Sequence, residues 1–310
     1  MDNRFTRSKM KKRLAFVLGG GGSRGALQAG ALRAILEAGY RPDLLVGTSI
    51  GAVNGAYLAM HGVDSDGIQS LWETWLETSD MDLLPANYLW LTVRTLFNRS
   101  ESGIPNRLRN FLMEHGLTPD VKFGDLPGPP LIVVATDMNA HTPVLYGLDP
   151  KGSVLESVVA SGALPPWMPV IEKEGKLLVD GGVVSNVPIE AALSQGATEI
   201  IALSVEDNRP EETEPHAFGT YLVKLIATVQ ARTLQLELAL AAERGVPVHW
   251  INLTGDQPVA IWNFTKTEAL LERGYKLASQ AIQEWKQSSN GQHGMPHRRS
   301  WLARILFGQG

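Results

Sequence analysis

The chain has 310 residues, 44% hydrophobic and 19% charged, a globular balance with enough apolar material for one large core or two modest ones. A net charge of −4 argues against general nucleic-acid binding. The absence of cysteine excludes disulfides, zinc–thiolate sites and cysteine nucleophiles together.

The N-terminus is basic: Arg4, Arg7, Lys9, Lys11, Lys12 and Arg13 face Asp2 alone. The apolar run that follows, Leu14 to Leu18, falls short of the roughly 7–15 residues of a secretory core. It reads as a basic tail (1–12) entering a buried strand, "RLAFVL". No window reaches the roughly 20 apolar residues of a spanning helix, so a soluble, cytoplasmic protein is expected. Residues 24–38 place Leu27, Ala31 and Ile35 on one helical stripe that Gly39 ends. "DLLVGTS" is a second strand running into a turn, and "IGAVNGAYLAM" the helix after it. Residues 64–116 read as several helices anchored by Trp72, Trp75, Trp90, Phe97 and Phe111. "LIVVATD" (131–137) and "TPVLYGL" (142–148) are strands, and "SVLESVVASGA" is a helix closed by Pro165 and Pro166. "KLLVDGG" and "EIIALSVE" read as strands and 207–219 as a loop. A helix (220–244), the strand "VHWINL" and a helix (265–287) follow. This alternation predicts a layered α/β fold around a largely parallel sheet.

Between the first strand and the first helix lies "GGGGSRG". Gly20, Gly22 and Gly25 satisfy G-x-G-x-x-G, the spacing of a dinucleotide cradle. That cradle also wants an acidic residue closing the second strand, where Gly47-Thr48-Ser49 stand instead. Consecutive glycines equally let backbone N–H groups converge on an oxyanion, helped by the positive end of the next helix. The loop alone does not choose between these readings.

Gly47-Thr48-Ser49-Ile50-Gly51 is a G-x-S-x-G sequence at a strand-to-helix turn, the setting of a nucleophile elbow. A helix-capping serine in a glycine-rich turn fits the same letters. A nucleophilic serine needs a base. Among the seven histidines only His249 neighbours a late strand, but "VHWINL" puts it inside that strand. In "LLVDGGVVSNVP", Asp180 ends an apolar strand before two glycines, although an Asp-Gly turn needs no catalytic explanation.

Taken together, "GGGSRG" (20–25), "GTSIG" (47–51) and "DGG" (180–182) resemble, in order and spacing, the patatin-like phospholipases. "ASGALPPWMPV" (160–170) and the continuation "DGGVVSNVP" reinforce the likeness, which spans about 13–206. The resemblance implies a three-layer α/β/α fold and hydrolysis of phospholipid or other acyl esters by a Ser–Asp dyad, without histidine, metal or cofactor. It implies Ser49 as nucleophile, Asp180 as its partner and the amides of Gly20, Gly21 and Gly22 as the oxyanion hole. By the same resemblance Arg24 is expected to hold the loop or aid anion binding, and Gly25, Gly47, Gly51, Gly181 and Gly182 to support the motifs. The rival reading is a patatin-like regulatory or lipid-binding protein of low turnover.

The expected organisation is a tail (1–12), a catalytic domain (13–206), an extension packed on it (207–288) and a basic amphipathic tail (289–310). That last tail pairs Trp301, Leu302, Ile305 and Phe307 with Arg298, Arg299 and Arg304, a composition suited to transient contact with an anionic membrane surface. Residues 81–98, with Leu84, Trp90 and Phe97, read as an acyl slot or a core helix. Trp167 and Met168 are further slot candidates. No nucleic-acid partner is expected, and the sequence leaves the oligomeric state open.

Overall fold

The computed structural model describes residues 12–80, 104–165, 168–207 and 218–290. Its strands are β1 (Leu14–Leu18), β2 (Leu44–Thr48), β3 (Leu131–Asp137), β4 (Thr142–Tyr146), β5 (Ile171–Lys173), β6 (Lys176–Asp180), β7 (Glu199–Ser204) and β8 (Val248–Asn252). Its α-helices are α1 (Gly25–Glu37), α2 (Ile50–His61), α3 (Ser65–Glu77), α4 (Ile104–Glu114), α5 (Val154–Ser161), α6 (Ile189–Ser194), α7 (Phe218–Glu243) and α8 (Thr267–Asn290).

Five strands run parallel in the order β3-β2-β1-β7-β8. The inner ones are short apolar runs buried on both faces, as a covered parallel sheet requires. Their side chains alternate between two cores. Phe16, Leu18, Leu45, Val133, Ile201 and Leu203 join the core under α1, α2 and α8. Ala15, Val17, Val46, Val134, Ile200 and Ala202 join the core under α6 and α7. This period-two division makes the molecule a three-layer α/β/α fold.

One corner departs from the parallel expectation. β4 returns antiparallel along one edge of β3. The other edge of β3 is divided: β2 pairs with Leu131–Val134, and β6 continues antiparallel along Ala135–Asp137. The connections explain the direction. Glu174 and Gly175, at φ 52° and 75°, form a two-residue hairpin turn between β5 and β6. The link from β3 to β4 is also too short for a parallel crossover.

β8 extends the sheet beside β7, and α8 lies on α1. There Gly30 and Gly274 allow backbone contact: a Cβ on either would sit 1.9 or 2.0 Å from a carbonyl oxygen of the facing helix. The stretch 81–98, Trp167, most of the 207–219 loop and nearly all of both basic ends lie outside the described residues. No helix among the described residues is long and apolar enough to cross a membrane.

Candidate active site

The divided edge of β3 builds the site. β2 ends at Thr48, opposite Val134, and β6 ends at Asp180, opposite the next residue, Ala135. The two strands therefore meet end to end, bringing the turn after Thr48 up to the Asp180 carboxylate.

Ser49 occupies that turn at φ 54°, ψ −123°, a left-handed conformation that costs a non-glycine residue on the order of 1–3 kcal/mol. Its N–H donates to Ser161 Oγ at 2.8 Å, and Ser161 donates to the Val134 carbonyl at 2.6 Å. Gly51 presses on the end of β1, where a Cβ would lie 2.1 Å from the Leu18 carbonyl oxygen. Ser49 holds the N-cap position of α2, yet its side chain makes no capping hydrogen bond. The helix-capping alternative therefore does not describe it.

Asp180 is 5% exposed. Burial raises its carboxyl to about 6, while hydrogen bonds from the Ser49 hydroxyl and the Gly182 N–H (2.7 Å) pull partly the other way. Gly181 follows, packed so tightly that a Cβ would fall 2.2 Å from the Val134 carbonyl oxygen.

The glycine loop runs past Ser49. A Cβ on Gly20 would stand 3.2 Å from Ser49 Cβ and 2.6 Å from Asn186 Oδ1. Of the three expected donor amides, that of Gly20 is engaged, donating to the Asn186 carbonyl at 3.1 Å. The N–H groups of Gly21 and Gly22 have no acceptor among the described residues. Arg24 donates from Nε and from its backbone N–H to the Gly21 carbonyl, both at 3.3 Å. Because the peptide is trans, this turns the Gly22 N–H away from Arg24. Gly22, at φ 58°, lies against Ile261, whose carbonyl accepts the Ser23 N–H at 2.7 Å.

Several supporting residues escaped sequence reasoning. Gln28 Nε2 donates to the Gly19 carbonyl at 2.7 Å, Asn54 Nδ2 to Gln28 Oε1 at 3.0 Å, and Trp75 Nε1 to Asn54 Oδ1 at 2.9 Å. This buried chain fixes the glycine loop from beneath. Its only signal was an amide side chain set in an otherwise small and apolar helix. Asn186 donates to Glu206 Oε1 at 3.1 Å, while its Oδ1 faces Gly20 and Gly182.

His249 is not brought to the site. It sits in β8, three strands from β2, with Nε2 3.1 Å from Glu199 Oε1 and its ring against Trp285. Met168 is buried in the core under α1.

A family model described as Patatin-like phospholipase matches residues 16–193. The rat protein "Patatin-like phospholipase domain-containing protein 7" is 34% identical over 211 residues, 67% of this chain and 14% of that protein. The Drosophila melanogaster protein "Neuropathy target esterase sws" is 32% identical over 196 residues, 62% of this chain and 13% of that protein. This chain thus spans only a small part of the length of these relatives. Among solved structures, VipD from Legionella pneumophila aligns at 14% identity and a TM-score of 0.48, covering 88% of this chain and 67% of that one. With the family model matching more than half its length, this chain belongs to the patatin-like phospholipase family.

Proposed function

We propose that this protein hydrolyses lipid acyl esters through Ser49 and Asp180. One observation carries the reading: a strained serine stands at the end of β2 against a buried carboxylate at the end of β6, beside a loop with two amides that have no acceptor among the described residues. Asp180 accepts the Ser49 Oγ proton as Oγ attacks the acyl carbonyl. The negative charge on the former carbonyl oxygen is received by the N–H groups of Gly21 and Gly22. Collapse of the tetrahedral intermediate expels the alcohol, which takes the proton back from Asp180. The acyl-Ser49 ester is then hydrolysed by water deprotonated by Asp180, which returns the proton to Ser49. A carboxyl near 6 is a stronger base than an ordinary aspartate and remains ionised at neutral pH.

The relatives' names include phospholipase, esterase and, for an Aspergillus terreus protein, lysophospholipase. They support a phospholipid, lysophospholipid or related acyl ester as substrate. Such a substrate calls for transient contact with a lipid surface, for which the basic tail 289–310 is suited by composition. A binding module without turnover would have no use for a strained serine against a buried base.

Hydrolysis of p-nitrophenyl butyrate tests the assignment. Ser49→Ala should lower kcat/KM by roughly 10,000-fold or more. His249→Ala should stay within about threefold, because the ring touches nothing at the site. Loss of activity in the histidine variant with survival in the serine variant would overturn the dyad.

A further inference from the structure

Glu237 is 5% exposed, lies on α7 beyond the stretch that matches the family model, and has no part in the proposed chemistry. Its Oε1 accepts the Ser185 hydroxyl, and its Oε2 accepts the Glu190 N–H at 2.7 Å, in the first turn of α6. Two turns earlier on α7, Gln230 Nε2 donates to the Gly182 carbonyl at 2.9 Å. One helix therefore holds the segment from Gly181 to Glu190 at three points.

That segment touches every working part of the site. Asp180 stands at its head, with Oδ1 bound to the Gly182 N–H. The Ser185 carbonyl accepts Thr48 Oγ1 at 2.9 Å, one residue before Ser49. The Asn186 carbonyl accepts the Gly20 N–H. Displacing the segment would therefore move base, nucleophile and glycine loop relative to one another. Reacting groups tolerate little such displacement, since a misplacement near 1 Å can cost about 100-fold in rate.

We propose that α7 is a clamp on the active site, with Gln230 and Glu237 as positioning residues that keep Asp180, Ser49 and the glycine loop in register. The proposal rests on the Ser49–Asp180 reading. It gives the C-terminal third of the chain a catalytic task, although none of its residues meets the substrate in this scheme. It also explains why a carboxylate is buried there: it offers two acceptors, one to a hydroxyl and one to a backbone N–H, that an apolar residue would leave unpaired. Glutamine can serve both contacts, with Oε1 accepting the Glu190 N–H and Nε2 donating to Ser185 Oγ.

The test compares Gln230→Leu, Glu237→Leu and Glu237→Gln in the full chain. It reads kcat and KM on p-nitrophenyl butyrate, the rate of Ser49 labelling by a fluorophosphonate, and the melting temperature. Gln230→Leu should lower kcat and the labelling rate by about tenfold, with KM within about twofold and melting nearly unchanged. Glu237→Leu should lose at least as much, and Glu237→Gln should recover most of it. Gln230→Leu carries the test if Glu237→Leu does not fold. If both folded leucine variants keep wild-type kcat while Ser49→Ala is inactive, the clamp is overturned and the dyad stands. An active Ser49→Ala would instead remove the reading beneath it.

Discussion

Asp180→Asn should abolish turnover and, at pH 8, make the protein more stable. Asparagine cannot take the Ser49 proton, so kcat should fall by roughly 10,000-fold, as for loss of a catalytic base. The stability gain follows from burial, which raises the Asp180 carboxyl from 3.8 to about 6. The native state thus favours the protonated form, and the stability this lends is full below about 4 and lost as pH rises through about 6. Holding the ionised form at pH 8 costs on the order of 3 kcal/mol. Asparagine is neutral, and its Oδ1 can keep the Gly182 N–H contact. The variant should therefore melt several degrees higher at pH 8, the difference shrinking toward pH 4. The wild-type kcat should decline about tenfold per unit below pH 6, the range in which Asp180 gains its proton. A less stable Asp180→Asn at pH 8, or one that retains turnover, would contradict a buried base kept ionised for catalysis.

Gly21→Pro should lower kcat by roughly 100- to 1,000-fold, the usual cost of one oxyanion donor, and change KM by less than about threefold. Proline removes the Gly21 N–H and also requires φ near −65°, far from the 162° found there. Gly21→Ala in a Val205→Ala background separates the two effects. It keeps the N–H and leaves φ free of the proline ring, and it relieves the collision a Cβ would otherwise make with Val205 Cγ2, 2.3 Å away. This double variant should keep turnover within about tenfold of wild type. Equal losses in both would place the loop's contribution in its shape rather than in its donor.

Residues with a local signature were legible in the sequence. β1, β2, β7 and β8 are short apolar runs, and 131–137 reads as the strand that forms. Ser49 and Asp180 each end such a run before glycine, which marks them without any knowledge of contacts. Features set by distant partners were not legible. β5 has three mostly exposed residues and α6 only six, too few to show a period, so neither was foreseen. The direction of β6 depends on the Glu174-Gly175 turn rather than on its own apolar pattern. The Gly20 N–H finds its acceptor at Asn186, far along the chain, so the loop sequence cannot say which of its amides are engaged. Glu237 looks like an ordinary solvated helix residue until α6 and the Ser185 hydroxyl close over it.

Covalent capture tests the central claim most directly. Folded protein treated with an alkyl fluorophosphonate and mapped by mass spectrometry should carry one adduct, on Ser49. The adduct should be absent in Ser49→Ala and form much more slowly in Asp180→Asn. Folded protein that stays unlabelled, or carries the adduct on another residue, would contradict it.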